Sequence, residues 1–325
     1  NKNSKIALIG CGYWGTILVN SLFQLGYKNI VIYDQNHKNS KTLKQKFNYV
    51  KISASFDQII NNEDIKAIIL ATPPKNNFNL IKKCIFSKKN IFLEKPGIQD
   101  FKKMKLLSNL AKNNKIIFML GYVYCYNDYI KKIRDIIKSK ILGKIQYIKL
   151  ERKNLGPIRN DVDSSYDLAS HDLSIIAYLF GLKKKFQVIN FKKHKILNKK
   201  ISDINYLYLK LENILIDVET SWLNPNKVRS ITIIGSKKML FFNEMDSREP
   251  LKIFNKYATY PKIQNFKKNF FNQKAKIYLG NNYSINVKEK PSVQNELAYF
   301  FNCINKNKTP FTDGFFATKI LKLLN

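Results

Sequence analysis

The chain has three histidines, His37, His171 and His194, and only His171 has acids at spacings that suit proton transfer. In SSYDLASHDLSII (164–176), Asp167 precedes it by four residues and Asp172 follows directly. Histidine changes charge in the working pH range, so it can carry the proton of a hydroxyl undergoing oxidation. An acid bonded to the ring would fix its tautomer and stabilise the imidazolium. The run reads as an amphipathic helix, on which residues four apart share a face. Asp172 is expected to steady the helix start, where an acid meets the positive end of the dipole. His37, in DQNHKN, is expected in a solvent-facing loop, and His194, in KKHKIL, on the surface.

Proton removal alone oxidises nothing; a hydride acceptor is required. GCGYWG (10–15) follows the apolar run KIALIG and opens a helical stretch, which is the context a dinucleotide fingerprint needs. Gly10 permits the tight turn, Gly12 lets backbone approach a pyrophosphate, and Gly15 allows close packing of helix on strand. Asp34 closes the second strand, where a carboxylate can hold the adenosine ribose hydroxyls and repel a 2′-phosphate. The expected cofactor is therefore NAD rather than NADP. Tyr13, Trp14, Thr72 and Pro73 are expected to border it. Glu94 and Lys95, in FLEKPG, end a further strand, and ligands in open α/β sheets bind outside the carboxyl ends of strands.

These residues need a frame. KIALIG, NIVIYD, YVKI, AIILAT, NIFLEKP and IIFML read as strands between helical stretches at 14–26, 75–88 and 100–113. Apolar strands alternating with helices imply a parallel sheet covered on both faces. After Gly121 the pattern changes: a helix near 127–139, the strand KIQYIKLER (144–152), a loop at 154–165, and a helix at 171–180. From about 186 to 256 the chain reads as antiparallel. Leu207, Leu209 and Leu211 share one face, and Ile214, Ile216 and Val218 answer them across a turn near Asn213. Helices around 292–305 and 313–324 close the chain. The expected organisation is a Rossmann domain at 1–121 and, at 122–325, an α+β substrate-binding and oligomerisation domain with an open, mostly antiparallel sheet. The last helix is allowed to pack back on the first domain.

Composition narrows the class. The chain has 325 residues, 57 basic and 23 acidic, for a net charge of +34. Its lysines are spread along the chain, with no nucleic-acid-binding motif, so nucleic acid is not the expected partner. The excess could instead help steer an anionic small substrate. The four cysteines are scattered and form no metal-spaced cluster, so no metal site is expected. No apolar run is long enough to span a bilayer, and because a strand-like run begins within five residues no signal peptide is expected. The expectation is a cytoplasmic, homo-oligomeric protein, associating through the second-domain sheet.

GCGYWG, ATPP, EKPG and the Asp-x-x-x-His of DLASHD occur in the order found in the Gfo/Idh/MocA oxidoreductases, which this chain resembles along essentially its whole length, including SWLNPNKVRSITIIGSKKM. Through NLGPIRNDVDSSYDLASHDLSI it is most similar to the UDP-N-acetylglucosamine 3-dehydrogenase-like branch, acting at C3 of a nucleotide-linked sugar. The resemblance makes Lys95 the lysine of the EKP motif, and Asp167 and His171 the paired acid and histidine. His171 would then move the hydroxyl proton, Asp167 orient it, and Lys95 stabilise the developing alkoxide. Asn77 and Tyr122 stand where similar sequences often carry histidine, and both are expected to border nicotinamide or substrate. Tyr124, Asn127, Arg152 and Arg159, with His171, are expected to contact substrate, the arginines through phosphate or carboxylate. Three alternatives stay open: a free polyol or sugar dehydrogenase, an NAD-using glycosidase, and a non-catalytic NAD- or sugar-sensing protein.

Overall fold

The structure, a computed structural model, describes residues 2, 4–182, 184–197, 199–260 and 275–325. It divides into two compact units, Asn1–Asn127 with Glu289–Asn325, and Asp128–Lys288.

In the first unit, β1 (Lys5–Ile9), α1 (Tyr13–Gln24), β2 (Ile30–Tyr33), α2 (His37–Lys46), β3 (Lys51–Ile52) and α3 (Phe56–Asn61) build one half of a sheet. β4 (Ile65–Leu70), α4 (Asn77–Phe86), β5 (Asn90–Glu94), α5 (Phe101–Asn113) and β6 (Phe118–Gly121) build the other. The strand order is β3-β2-β1-β4-β5-β6, every pair parallel. Ile6, Leu8, Ile68, Ile69, Ile91 and Phe92 are fully buried, as strands covered on both faces require. The order reverses between β1 and β4, and at such a switch point the carboxyl ends leave a crevice.

The second unit begins with α6 (Asp128–Lys138) and β7 (Ile145–Leu155), followed by α7 (Ser170–Phe180). β8 (Phe186–His194), β9 (Ile204–Leu211), β10 (Ile214–Ser221), β11 (Leu223–Gly235), β12 (Met239–Asn243), β13 (Leu251–Thr259) and β14 (Lys276–Ser284) complete it. The eight strands run β14-β13-β12-β11-β7-β10-β9-β8, antiparallel except where β10 lies parallel to β7. The hairpin register follows the alternation in the sequence: Ile214 faces Leu211, Ile216 faces Leu209, and Val218 faces Leu207. Helices cover this apolar face, with Tyr129 of α6 stacked on Phe242 of β12 at 5.5 Å. The opposite face of β7 and β10 is polar. Lys153 bridges Glu151 and Glu219 at 2.7 and 3.1 Å, offsetting the repulsion of two acids paired across the strands.

The chain closes with α8 (Ser292–Asn305) and α9 (Gly314–Leu324), and both belong to the first unit. The expected division at residue 121 allowed the last helix, α9, to pack back on the first domain; it placed α8 in the second domain, whereas α8 also belongs to the first unit. α8 packs on α1 and α9 on α5, and Phe300 meets Phe92 of β5 with ring centroids 5.7 Å apart. Leu120 N–H donates to Thr312 O at 2.8 Å, which ties the segment before α9 to the end of β6. Phe300→Ala should therefore destabilise the nucleotide-domain half of the molecule, by about 3–5 kcal/mol. Chemical denaturation followed at Trp14 would read this loss directly.

Candidate functional site

The nucleotide half of the site rests on glycine geometry. Gly10 has φ +97°, and a Cβ there would lie 2.5 Å from the Ala71 carbonyl oxygen. A Cβ at Gly15 would lie 2.1 Å from Gly10 O, so α1 packs directly on the turn. A Cβ at Gly12 would meet nothing within 4 Å, which leaves backbone open at the start of α1. Gly12 is the N-cap and supplies no capping side chain, so the first-turn N–H groups retain their capacity for an anion. Asp34, half-buried, accepts from Cys11 N–H at 2.7 Å and Asn36 N–H at 2.8 Å, which aims its carboxylate along the loop. Tyr13 is 79% exposed and Trp14 40%, flanking the same turn. This donor set fits a dinucleotide: a glycine cradle, an unblocked helix start and a fixed acid for ribose. His37 is solvent-exposed as expected but begins α2 rather than lying in a loop, with Asn36 capping the helix through Lys38 N–H.

At the next strand ends, Thr72 is half-buried and Pro73 exposed. Asn77 is fully buried; its side-chain NH2 donates to Gly97 O at 2.8 Å and Thr72 O at 3.3 Å, and its oxygen accepts from the Thr72 hydroxyl. It thus ties the ATPP and EKPG loops together and is no wall of a ligand site, contrary to expectation. Tyr122 is likewise buried, edge-on to Phe316 at 5.3 Å, with its hydroxyl pushed well above its ordinary pKa by burial. Tyr124 and Asn127, expected as substrate walls, are 7% exposed each. Asn127 donates to the Ser292 hydroxyl at the start of α8. These polar groups face inward because the helical turn Val123–Tyr126 packs against α8. Glu94 and Lys95, both half-buried, stand at the carboxyl end of β5, and burial lifts the Glu94 carboxyl to about 7 against the opposing charge of Lys95.

In the second unit, Asp167 and His171 are presented by an unusual entry into α7. Ser165–Ala169 form a π-helical turn that runs into α7 at Ser170. Such turns are rare and occur often at functional sites. Asp163 holds the turn by accepting from Ser165 N–H at 3.0 Å and Tyr166 N–H at 3.1 Å. Ser164 donates to Ser202 O at 2.7 Å and accepts from the Asn205 side chain, which anchors the preceding loop to β9. Asp167 accepts from the indole N–H of the fully buried Trp222 at 3.3 Å, and Arg159 reaches it at 3.7 Å. His171 is 9% exposed. His194 lies exposed at the end of β8, edge-on to Tyr206 at 5.9 Å, in accord with the surface expectation.

The two arginines part company. Arg159 forks onto Asp161 at 2.8 and 2.6 Å near the surface, and the guanidinium draws the Asp161 carboxyl below its ordinary pKa. Arg152 was expected to touch substrate, but it is 3% exposed and grips Asp172 with bonds of 2.8 to 3.2 Å. The reason is strand alternation: Arg152 continues the row Ile148, Leu150 on the helix-covered face of β7. Asp172 does sit in the first turn of α7, but its partner is this guanidinium rather than the dipole alone. Among the described residues no group of three or more potential metal ligands occurs.

Glycine turn, switch point and strand-end acid define a dinucleotide-binding α/β protein. Residues 4–122 match the model of the GFO_IDH_MocA oxidoreductase family, NAD-binding Rossmann fold. The chain is 22% identical over 331 residues to scyllo-inositol 2-dehydrogenase (NAD(+)) of Bacillus subtilis, covering 97% of this chain and 90% of that one. Other curated relatives are matched over shorter stretches, and the chain spans only about half their length or less. In fold it is similar to UDP-N-acetylglucosamine 3-dehydrogenase from Acidithiobacillus ferrooxidans, with TM-score 0.79 and 16% identity over 98% of this chain and 95% of that one. It is also similar to levoglucosan dehydrogenase in complex with NADH and levoglucosan, with TM-score 0.80 and 15% identity over 98% and 94%.

The burial contrast gives a direct test of the arginines. Arg152→Ala leaves Asp172 as an unpaired buried acid and should cost about 3–5 kcal/mol. Arg159→Ala removes a surface pair and should cost less than about 1 kcal/mol. Equal denaturation midpoints for the two variants would contradict this division of roles.

Proposed function

We propose that the chain is an NAD-dependent oxidoreductase that moves hydride between nicotinamide and a secondary hydroxyl of a sugar, C3 of a nucleotide-linked sugar being the preferred substrate. The reading is carried by the glycine cradle, whose backbone opens at Gly12 beside the oriented Asp34 carboxylate. When bound there, NAD supplies the hydride acceptor, and the protein supplies placement and proton handling. His171 takes the hydroxyl proton as general base, or returns it in the reverse direction. Asp167, itself oriented by the Trp222 N–H, steadies the imidazolium that results. Lys95 stabilises the negative charge that develops on the oxygen. Asp34 favours NAD by holding the ribose and repelling a 2′-phosphate.

The likeness to UDP-N-acetylglucosamine 3-dehydrogenase supports the nucleotide-sugar choice at the level of fold. A second reading, a dehydrogenase of a free polyol or sugar, is favoured by one observation. Arg159, the arginine left for a phosphate, is already forked onto Asp161. We also place a homo-oligomer contact on the polar face of the second-unit sheet, where Tyr147 donates to Asp217 at 3.1 Å beside the Lys153 network. No helix among the described residues is long and apolar enough to cross a membrane.

His171→Ala should lower kcat by about 10²–10⁴-fold with NAD affinity nearly unchanged, and Lys95→Ala should lower kcat by about 10²–10³-fold. Near-normal turnover of either variant would remove that residue from the chemistry. Purified protein with NAD should form reduced nicotinamide, followed by absorbance, with UDP- or dTDP-sugars. Reduction with simple polyols alone would establish the second reading.

A further inference from the structure

α8 carries an acid that the chemistry above does not use. Glu296 is 0% exposed, and neither of its carboxyl oxygens has a hydrogen-bond partner. It lies on the apolar side of α8 with Leu297, Phe300 and Phe301. Burying an ionised carboxylate without a partner is far more costly than burying its neutral acid. β5 brings a second carboxyl to this side of α8: Phe92 meets Phe300, Glu94 lies two residues beyond Phe92 on the same strand face, and Glu296 lies one turn before Phe300. Glu94 pairs with Gly121 across β5 and β6, and its carboxyl fills the space above that glycine, where a Cβ would come within 2.9 Å of an oxygen. Burial holds both carboxyls above the ordinary range, and the Glu94 charge further opposes ionisation of Glu296. Among the described residues, the other ionisable groups at the pair are Lys95 beside Glu94 and Tyr126 from the turn Val123–Tyr126, with Tyr299 of α8 packed on Tyr126. The hydroxyl of Tyr126 is committed to Thr312 at 2.8 Å.

We propose that Glu296 is a positioning residue that stays protonated through neutral pH, so that the Glu94–Glu296 pair carries at most one negative charge, held on Glu94 beside Lys95. As a neutral acid, Glu296 offers a dipole to the Glu94 carboxylate without adding a second charge behind it. Two acids in one site cannot both ionise cheaply, and the more deeply buried one keeps its proton. The proposal rests on the reading that Glu94 and Lys95 border the dinucleotide, because Glu94 then sets how NAD affinity depends on pH.

The experiment measures the NAD dissociation constant from pH 5.5 to 8.5, alongside the infrared spectrum of the same proteins. These pH limits span about 7, the region in which Glu94 titrates. In the wild type, affinity should change through one transition near that pH. Glu94→Gln should abolish the transition. Glu296→Leu, which keeps the volume but removes the dipole, should move it upward by about half a pH unit or more. Glu296→Gln, a lasting mimic of the neutral acid, should leave it in place. A residue that only fills space would give superimposable profiles for all three Glu296 forms, and that result would overturn the proposal. The infrared arm is independent of ligand: a protonated carboxyl band should persist at pH 8 in the wild type and disappear in Glu296→Gln. Its absence from the wild type would also overturn the proposal, even if Glu296→Leu fails to fold. Absence of NAD binding with the band present would instead sink the dehydrogenase reading and leave the protonated pair standing.

Discussion

A buried ion pair governs the geometry of the second unit. Arg152 and Asp172 are nearly inaccessible, so each needs the other: a lone charge in that position would cost several kcal/mol. The guanidinium is planar and grips the carboxylate by its edge, so it fixes orientation as well as charge. Since Arg152 is held by β7 and Asp172 by the first turn of α7, the bond pins the start of that helix to the sheet. His171, adjacent to Asp172, inherits its position from this bond. Asp167 is held one turn earlier by Trp222 and by the capped π turn. The segment that carries Asp167 and His171 is thus braced by an ion pair at Asp172 and by an indole at Asp167. The supporting groups are buried, where electrostatic interactions are strongest.

The first unit solves a different problem, since it must leave groups unsatisfied. Glycine at positions 10, 12 and 15 removes every side chain that could close the start of α1, and the cap position has no side chain to bond the free N–H groups. The parallel sheet makes this affordable, because its strands are fully buried and its carboxyl ends converge at one edge. Asp34 and Lys95 stand just beyond the carboxyl ends of β2 and β5 and carry opposite charges.

Much of this was legible in residue order. The strand–glycine turn–helix succession gave the parallel domain, and period-two alternation gave the β9–β10 hairpin to the correct register. The allegiance of α8 was not legible, because an amphipathic stripe shows that a helix buries a face but not which surface receives it. Arg152 was misread because its charge suggested exposure, whereas the row Ile148, Leu150, Arg152 already placed it on the buried face. Glu296 carried the same kind of signal, an acid within the apolar side of α8, and it was overlooked. The π turn before α7 has no residue signature, since it comes from how Asp163 and Ser164 anchor the loop. The Trp222–Asp167 bond joins residues far apart in sequence, which spacing cannot reveal.

Asn77 and Tyr122 show why a position matched by resemblance need not keep its role. Both stand where a histidine was the comparison, and histidine can face a ligand while keeping one ring nitrogen for the protein. An asparagine amide has only two N–H groups, and here both are donated to backbone carbonyls, Gly97 O and Thr72 O. Its oxygen accepts from the Thr72 hydroxyl. Turning it toward a substrate hydroxyl would leave two buried carbonyls without those donors, a loss that one new hydrogen bond would not recover. Tyr122 is held by packing on Phe316 and by burial of its hydroxyl. The two substitutions therefore convert positions expected at a ligand boundary into braces for the loops that carry Thr72 and Lys95.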